Sequence, residues 1–379
     1  MEKTKDRIYA DCAAQHPPRQ VAIEEAMCAI RNFGNPSGVH SAASDAAAML
    51  FEARRKTAAA LGAKPSEVVF TSSGTEADNL AIYNGSMQGM RQGRNRLLVF
   101  VGEHKAVINA AKMTERIGMT VDYVPSTPDG VADIMKLEHM LDDKVAMVSL
   151  MYANNETGVI QPVKQAAQLA HKCGALFHTD AVQAVGHIPV SVKDIECDML
   201  SLSAHKFGGI VGAGALYVRD NLPIVPQMAG GMQERGRRAG TEALPAIYAM
   251  GAAIEAAYAD MEREAAHTEK LCSVLKERLK HIDNICFPGE NAERLPGVLC
   301  LLLPGKDGER IALLLDREGI CASSGAACTT GDAAASHVLT AMGYDERAAK
   351  GALRFSFCAE NSFADAERIA EVLLRIIDE

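Results

Sequence analysis

The chain has 379 residues, 48% hydrophobic and 23% charged, the balance of a soluble globular protein of about two to three domains, which excludes long disorder. A formal charge of −9 at pH 7 argues against a nucleic-acid binder, which would carry a basic surface. No apolar run reaches about 18 residues, and the charged start from Met1 to Arg7 lacks a signal-peptide core. The expectation is a cytoplasmic protein with no membrane association.

Ten cysteines are scattered with no C-x-x-C pair, so neither a zinc ribbon nor a disulfide framework is expected. Most should be reduced and buried as small apolar residues.

In chain order, Glu67 to Thr71 predicts a strand, followed by Ser-Ser-Gly and a helix from Thr75 toward Met90. Arg96 to Val101 is the next strand, then a helix from about Lys105 to Ile117. Strand-like runs follow at 119–124, 144–151, 175–178, 198–203 and 214–219. Apolar strands alternating with helices predict a mostly parallel sheet covered on both faces, with ligands outside the carboxyl ends of its strands. Ala243 to about Ile282 reads as one long helix linking two domains. Strands at 297–303 and 352–357, and helices near 309–318 and 364–377, predict a smaller α+β domain.

Three strand ends carry chemistry. Phe70 to Asn79 runs from a strand through small polar residues into a helix, whose free N–H groups can take an anion; an ordinary N-cap would read the same way. Leu176 to Gln183 places Asp180 just beyond a strand. Ser201 to Gly208 places Lys206 after a strand too apolar to be superficial, where a lysine is expensive unless paired or covalently used. Pyridoxal phosphate uses all three: a Schiff-base lysine, a carboxylate against the pyridinium nitrogen and donors for the phosphate.

The sequence resembles the cysteine desulfurase family, within the class V aminotransferase group of fold-type I pyridoxal-phosphate enzymes. The resemblance runs from Tyr9-Ala-Asp11 to the C-terminal helix. It rests on Phe33–His40, Thr71–Asn79, Glu103-His104, Ala153–Gly158, His178–Gln183, Ser203–Lys206, Gln233–Glu242, Ser323–Cys328 and Leu353-Arg354. It implies an α/β fold, with a large cofactor domain (16–255) holding a mostly parallel seven-stranded sheet. A small α+β domain (1–15 and 256–379) would carry the catalytic cysteine loop, and the protein would be a homodimer.

The resemblance also implies roles. Lys206 is similar to the Schiff-base lysine and proton shuttle, Asp180 to the pyridinium partner and His104 to the residue stacked on the ring. Gln183 would bond the phenolic oxygen. Gly74, Thr75, Ser203 and His205 would cup the phosphate, with Thr241 reaching it across the dimer interface. Arg354, helped by Asn155 and Asn35, would bind the substrate carboxylate, a task that suits a planar guanidinium. Cys328 resembles the nucleophile that receives sulfur from L-cysteine as a persulfide, releases alanine and passes the sulfur to an acceptor protein. It lies in a run of small residues with little to pack; taken alone, it reads more readily as an incidental surface thiol.

Other residues keep two readings. Arg235, Arg237 and Arg238 are a solvated loop, or they serve a dimer interface or substrate entry. His178, His187 and His337 have no ligand-spaced partner and are expected to be structural. The sequence departs from the family at Gln15 and His16, which replace threonines expected near the substrate, at Cys12, and at Gly209-Ile-Val-Gly212. These changes leave the exact substrate open. The rivals are a lyase acting on selenocysteine or another β-substituted alanine, an aminotransferase, and a sulfur carrier without cofactor turnover. No metal is expected.

Overall fold

Seven strands form the main sheet, in the spatial order Val68–Thr71, Gly214–Val218, Met199–Ser203, Leu176–Asp180, Val145–Ser149, Arg96–Phe100 and Thr120–Val124. The computed structural model describes residues 7–325 and 335–378; Cys328 lies outside them. All pairings are parallel except those of Gly214–Val218, which is antiparallel to both its neighbours. That one reversal, at a strand reached by a short loop from Ser203, leaves its two neighbours running the same way. Thr71 and Ser203 both sit opposite Gly214, and Asp180 sits opposite Ser201. The carboxyl ends at 71, 180 and 203 therefore share one edge, where this fold class places ligands.

The central strands Val145–Ser149, Met199–Ser203 and Gly214–Val218 are buried at every position, which explains their largely apolar character. Helices cover both faces. Gly74–Arg91 and Lys105–Thr114 pack on one through Leu80, Ile82 and Val107. Ser41–Leu61, Val163–Lys172 and the start of Leu244–Leu279 belong to the opposite core with Phe70, Phe177 and Ile254. Each large side chain fully buried here contributes roughly 1.5–3 kcal/mol by removal from water.

Leu244–Leu279 is a single helix of 36 residues. Its first half buries Ile247, Met250 and Ile254 in the large core. Its last turns bury Leu271, Leu275 and Leu279 in a second core. A Cβ on Gly251 would stand 2.7 Å from Ala53 Cα, so the close approach to Ser41–Leu61 requires glycine.

The second core lies over an antiparallel sheet of Ser323–Ser324, Ala352–Ser356 and Val298–Leu302, packed with helices Gly308–Arg317 and Phe363–Asp378. The N-terminal segment joins it: Ile8–Tyr9 pairs with Ile320–Cys321, and Asp11 bridges Ser356. No helix among the described residues is long and apolar enough to cross a membrane.

Candidate active site

A cavity of about 850 Å³ opens at the carboxyl edge of the main sheet. Its lining includes Gly74, Thr75, His104, Asn155, Asp180, Gln183, Ser203, His205 and Lys206 from the large core and Arg354 from the small sheet. Asn35 and Thr241 are exposed and absent from that lining.

Most of the large-core residues stand at or just beyond a strand's carboxyl end, and Arg354 lies within Ala352–Ser356. Ser73 caps the helix Gly74–Arg91 by accepting from Glu76 N at 3.1 Å, which leaves the amides of Gly74 and Thr75 at the cavity. A Cβ on Gly74 would meet Val182 Cγ2 at 2.7 Å, so glycine is required here by the protein's own packing. His104 caps the next helix through Nδ1, which accepts from Ala106 N at 3.1 Å. Burial holds the His104 imidazole below its usual range, against the pull of Asp180.

Asp180 ends its strand in the buried interior and accepts from Val182 N at 2.9 Å. Burial pushes its carboxyl upward; His104, the Val182 amide and Lys206 pull it back. Asp78, on the helix Gly74–Arg91, is equally buried. Ligand atoms of Asp78, His104 and Asp180 lie within 4.8 Å of one another. Burial, then the neighbouring Asp180, drive the Asp78 carboxyl well above its ordinary value. Two carboxylates this close in a dry site do not both ionise. Asp78 takes the proton, and Asp180, facing His104 and Lys206, keeps the charge. Beneath them His178 bridges Ser149 (2.9 Å) and Ser201 (3.0 Å) and stays neutral, burial lowering it to about 3.

Lys206 lies in a short 3-10 turn after its strand. Its Nζ donates to the carbonyls of Ala13 and Ala14 at 2.7 and 2.8 Å. Ala13 O also accepts from Gln183 Nε2 at 3.0 Å. The N-terminal segment thus forms the wall behind the lysine. His187, expected to be structural, accepts this description: it contacts Lys206 O at 2.8 Å. His337, also expected to be structural, instead lines the cavity, with Nε2 2.9 Å from Glu103 O.

Arg354 donates from Nη1 to Asn155 O and from Nη2 to Asp11 Oδ1, both at 2.7 Å. Its buried Nε has no partner among the described residues. Nearby Glu156 accepts from Ser336 Oγ at 2.5 Å, and burial raises its carboxyl to about 7. Sequence reasoning missed Glu156, though it stands inside the quoted Ala153–Gly158 motif. Ser323, Ser324 and Gly325 on one side, and Ala335, Ser336 and His337 on the other, also line the cavity. The segment carrying Cys328 therefore leaves and re-enters at its rim.

These side chains suit pyridoxal phosphate. The start of helix Gly74–Arg91, His205, Lys206 and Asp180 line the same space, and the buried His205 Nδ1 has no partner among the described residues.

Two sequence departures fall elsewhere. Gln15 is exposed and His16 faces a second, smaller cavity; Asp11, Ala13 and Ala14 line the main one. The threonine positions therefore do not shape the cleft in the way the sequence suggested, because the side chains at 15 and 16 turn outward from it. Arg235, Arg237 and Arg238 are not simply solvated: they bond Val68 O, Ser66 O and Glu76 of their own chain.

The aminotransferase class-V family model matches residues 8–369. A cysteine desulfurase of Cereibacter sphaeroides is 42% identical over 382 residues, covering 99% of this chain and 96% of that protein. A solved NifS-like protein superposes with a TM-score of 0.92 at 34% identity, covering 98% of this chain and 100% of its own. A structure described as SspA in complex with cysteine gives 0.80 at 30% identity, covering 92% of this chain and 98% of its own.

Proposed function

Since the chain belongs to the class-V aminotransferase family, we propose that its cleft is the active site of a pyridoxal-phosphate-dependent cysteine desulfurase. The observation that carries this reading is the convergence of Lys206, Asp180 and Arg354 on one cavity whose rim holds both flanks of the Cys328 segment.

Gly74, Thr75, Ser203 and His205 would hold the phosphate, Asp180 the ring nitrogen, His104 the ring face and Gln183 the phenolic oxygen. Bound there, the cofactor supplies an electron sink for the charge left when the substrate loses its Cα proton. Asp180 keeps that sink charged because Asp78 carries the proton the pair must share. Arg354, which lines the cavity, orients the substrate carboxylate, with Asn155 beside it. Lys206 Nζ takes the Cα proton and returns it. Cys328 attacks the substrate sulfur as thiolate: a sulfur–sulfur bond forms, the Cβ–S bond breaks, the carbon gains a proton and alanine leaves. An acceptor thiol then removes the persulfide sulfur.

A homodimer belongs to the same reading, with Thr241 and Asn35 supplied across the interface. Exposed Phe33 and Val39 near Asn35, and Met232 before Thr241, support it. So does a cytoplasmic setting, where the nine described free cysteines remain reduced.

Assay with L-cysteine, following alanine and sulfide, tests the reading. Alanine is expected from the wild type and lost in Cys328→Ala, with the cofactor's visible absorbance kept. A keto acid as product would favour an aminotransferase. Activity of Cys328→Ala on selenocysteine would favour the lyase.

A further inference from the structure

Behind the wall that receives Lys206, the N-terminal segment turns two side chains away from the main cleft. Cys12 and His16 face a cavity of about 40 Å³ that Cys358 also lines. Cys358 Sγ donates to Asn361 Oδ1 at 3.5 Å. Ligand atoms of His16, Cys358 and Glu360 lie within 4.8 Å of one another. Cys12, His16 and Cys358 are each 4% exposed or less, while Glu360 is exposed. Nothing in the proposed desulfurase chemistry uses these four residues.

The geometry points to a site for a thiophilic divalent ion of the zinc class, held by His16, Cys358 and Glu360, with Cys12 lining the same cavity. One thiolate, one imidazole nitrogen and one carboxylate, with a fourth position left to water, are a zinc donor set; calcium and magnesium require oxygen ligands. His16 Nδ1 lies 2.7 Å from Pro17 O. That bond fixes the proton on Nδ1 and leaves the Nε2 lone pair as ligand, the usual second partner of a metal-bound histidine. The cavity exceeds the roughly 10–15 Å³ that one water needs, and the exposed Glu360 marks the entry path. Binding releases the Cys358 thiol proton to solvent and changes no oxidation state.

The backbone that carries these ligands is already joined. Cys12 N donates to Ser356 O at 3.1 Å and Ala13 N to Ser356 Oγ at 2.8 Å. Asn361 ties the two segments together, Oδ1 accepting from Cys358 N and Nδ2 donating to Tyr9 O, both at 3.0 Å. An ion here would brace the residues whose carbonyls hold Lys206, without touching the reacting atoms. The proposal stands apart from the desulfurase reading, and its test does not read turnover.

The test uses the cofactor-loaded Cys328→Ala chain, since the reactive thiol would bind zinc itself. After incubation with zinc and dialysis against metal-free buffer, elemental analysis is expected to find about one zinc per chain. Cobalt should give a thiolate charge-transfer band in the near ultraviolet. Cys358→Ser should lose both, and Glu360→Ala, an exposed change that leaves the core intact, should weaken zinc retention at least tenfold. Zinc should raise the melting temperature by several degrees in the parent and not in Cys358→Ser. The proposal is overturned by no retained zinc, by retention unchanged in both variants, or by a Cys12–Cys358 disulfide in the isolated protein.

Discussion

Arg354 and Asp11 meet across the cleft at 2.7 Å, the arginine on the central strand of the small sheet and the aspartate on the N-terminal segment that bridges the same strand. The pair occupies Nη2, Asn155 O takes Nη1, and the buried Nε has no protein partner among the described residues; Arg354 lines the cavity. Asp11 holds the guanidinium in one orientation, so substrate meets a fork that has already lost its rotamer freedom.

Arg354→Lys should therefore raise KM for L-cysteine at least tenfold, since a point charge cannot reproduce the fork. Asp11→Asn should raise KM about five- to tenfold, the worth of one charge-assisted hydrogen bond, with kcat nearly unchanged. Steady-state kinetics separates the two effects. A fall in KM for Asp11→Asn would show that Asp11 competes with substrate for Arg354.

The two buried aspartates should behave oppositely. Asp78 is held protonated by burial and by Asp180, so Asp78→Asn replaces a neutral acid with a neutral amide. Its turnover should stay within about threefold of wild type. Asp180→Asn removes the charge opposite the ring nitrogen and should cost at least about a hundredfold in kcat, the scale of an active-site electrostatic contact. Absorbance of the bound cofactor should be nearly unaltered in the first variant and shifted in the second.

Glu156 gives a pH dependence of definite sign. Its folded-state pKa of about 7 lies above the ordinary 4.5. Between those values the native state binds a proton the unfolded chain does not, so stability falls as pH rises through that window and levels off above 7. The full effect is on the order of 3 kcal/mol. Urea unfolding at pH 5 and pH 8 should show a smaller loss for Glu156→Gln than for the wild type. Above pH 7 the ionised Glu156 also faces Arg354, so KM for the substrate carboxylate should climb with pH in the wild type and stay flatter in the variant.

Lys206→Ala should abolish turnover and also free the Ala13 and Ala14 carbonyls. Amide hydrogen exchange of residues 11–16 should rise in Lys206→Ala even without cofactor. Unchanged exchange would mean that the segment is held by its bonds to Ser356 alone.

Much of the site was legible in the sequence because it sits on short runs at strand ends. Thr71–Asn79, His178–Gln183 and Ser203–Lys206 each pair an apolar strand with a polar exit, and local pattern suffices to see that. The strands at 96–100, 199–203 and 214–218 were readable for the same reason: almost wholly buried, they are largely apolar. The antiparallel entry of Gly214–Val218 was not readable, because strand direction is settled by pairing partners far away in the chain.

What the sequence determined by itself was the donor chemistry: which side chains could hold a phosphate, a ring nitrogen and a carboxylate. Only the tertiary structure decided their charges and directions. Asp78 looks no different from Asp180 until both are buried within reach of His104, and Glu156 is an ordinary surface glutamate by pattern. His16 stands where a substrate-facing threonine is expected, and the segment's path turns it, with Cys12, into a second cavity. Periodicity records which residues avoid water. Desolvation and side-chain direction depend on what the rest of the chain places against them, and local sequence does not encode that.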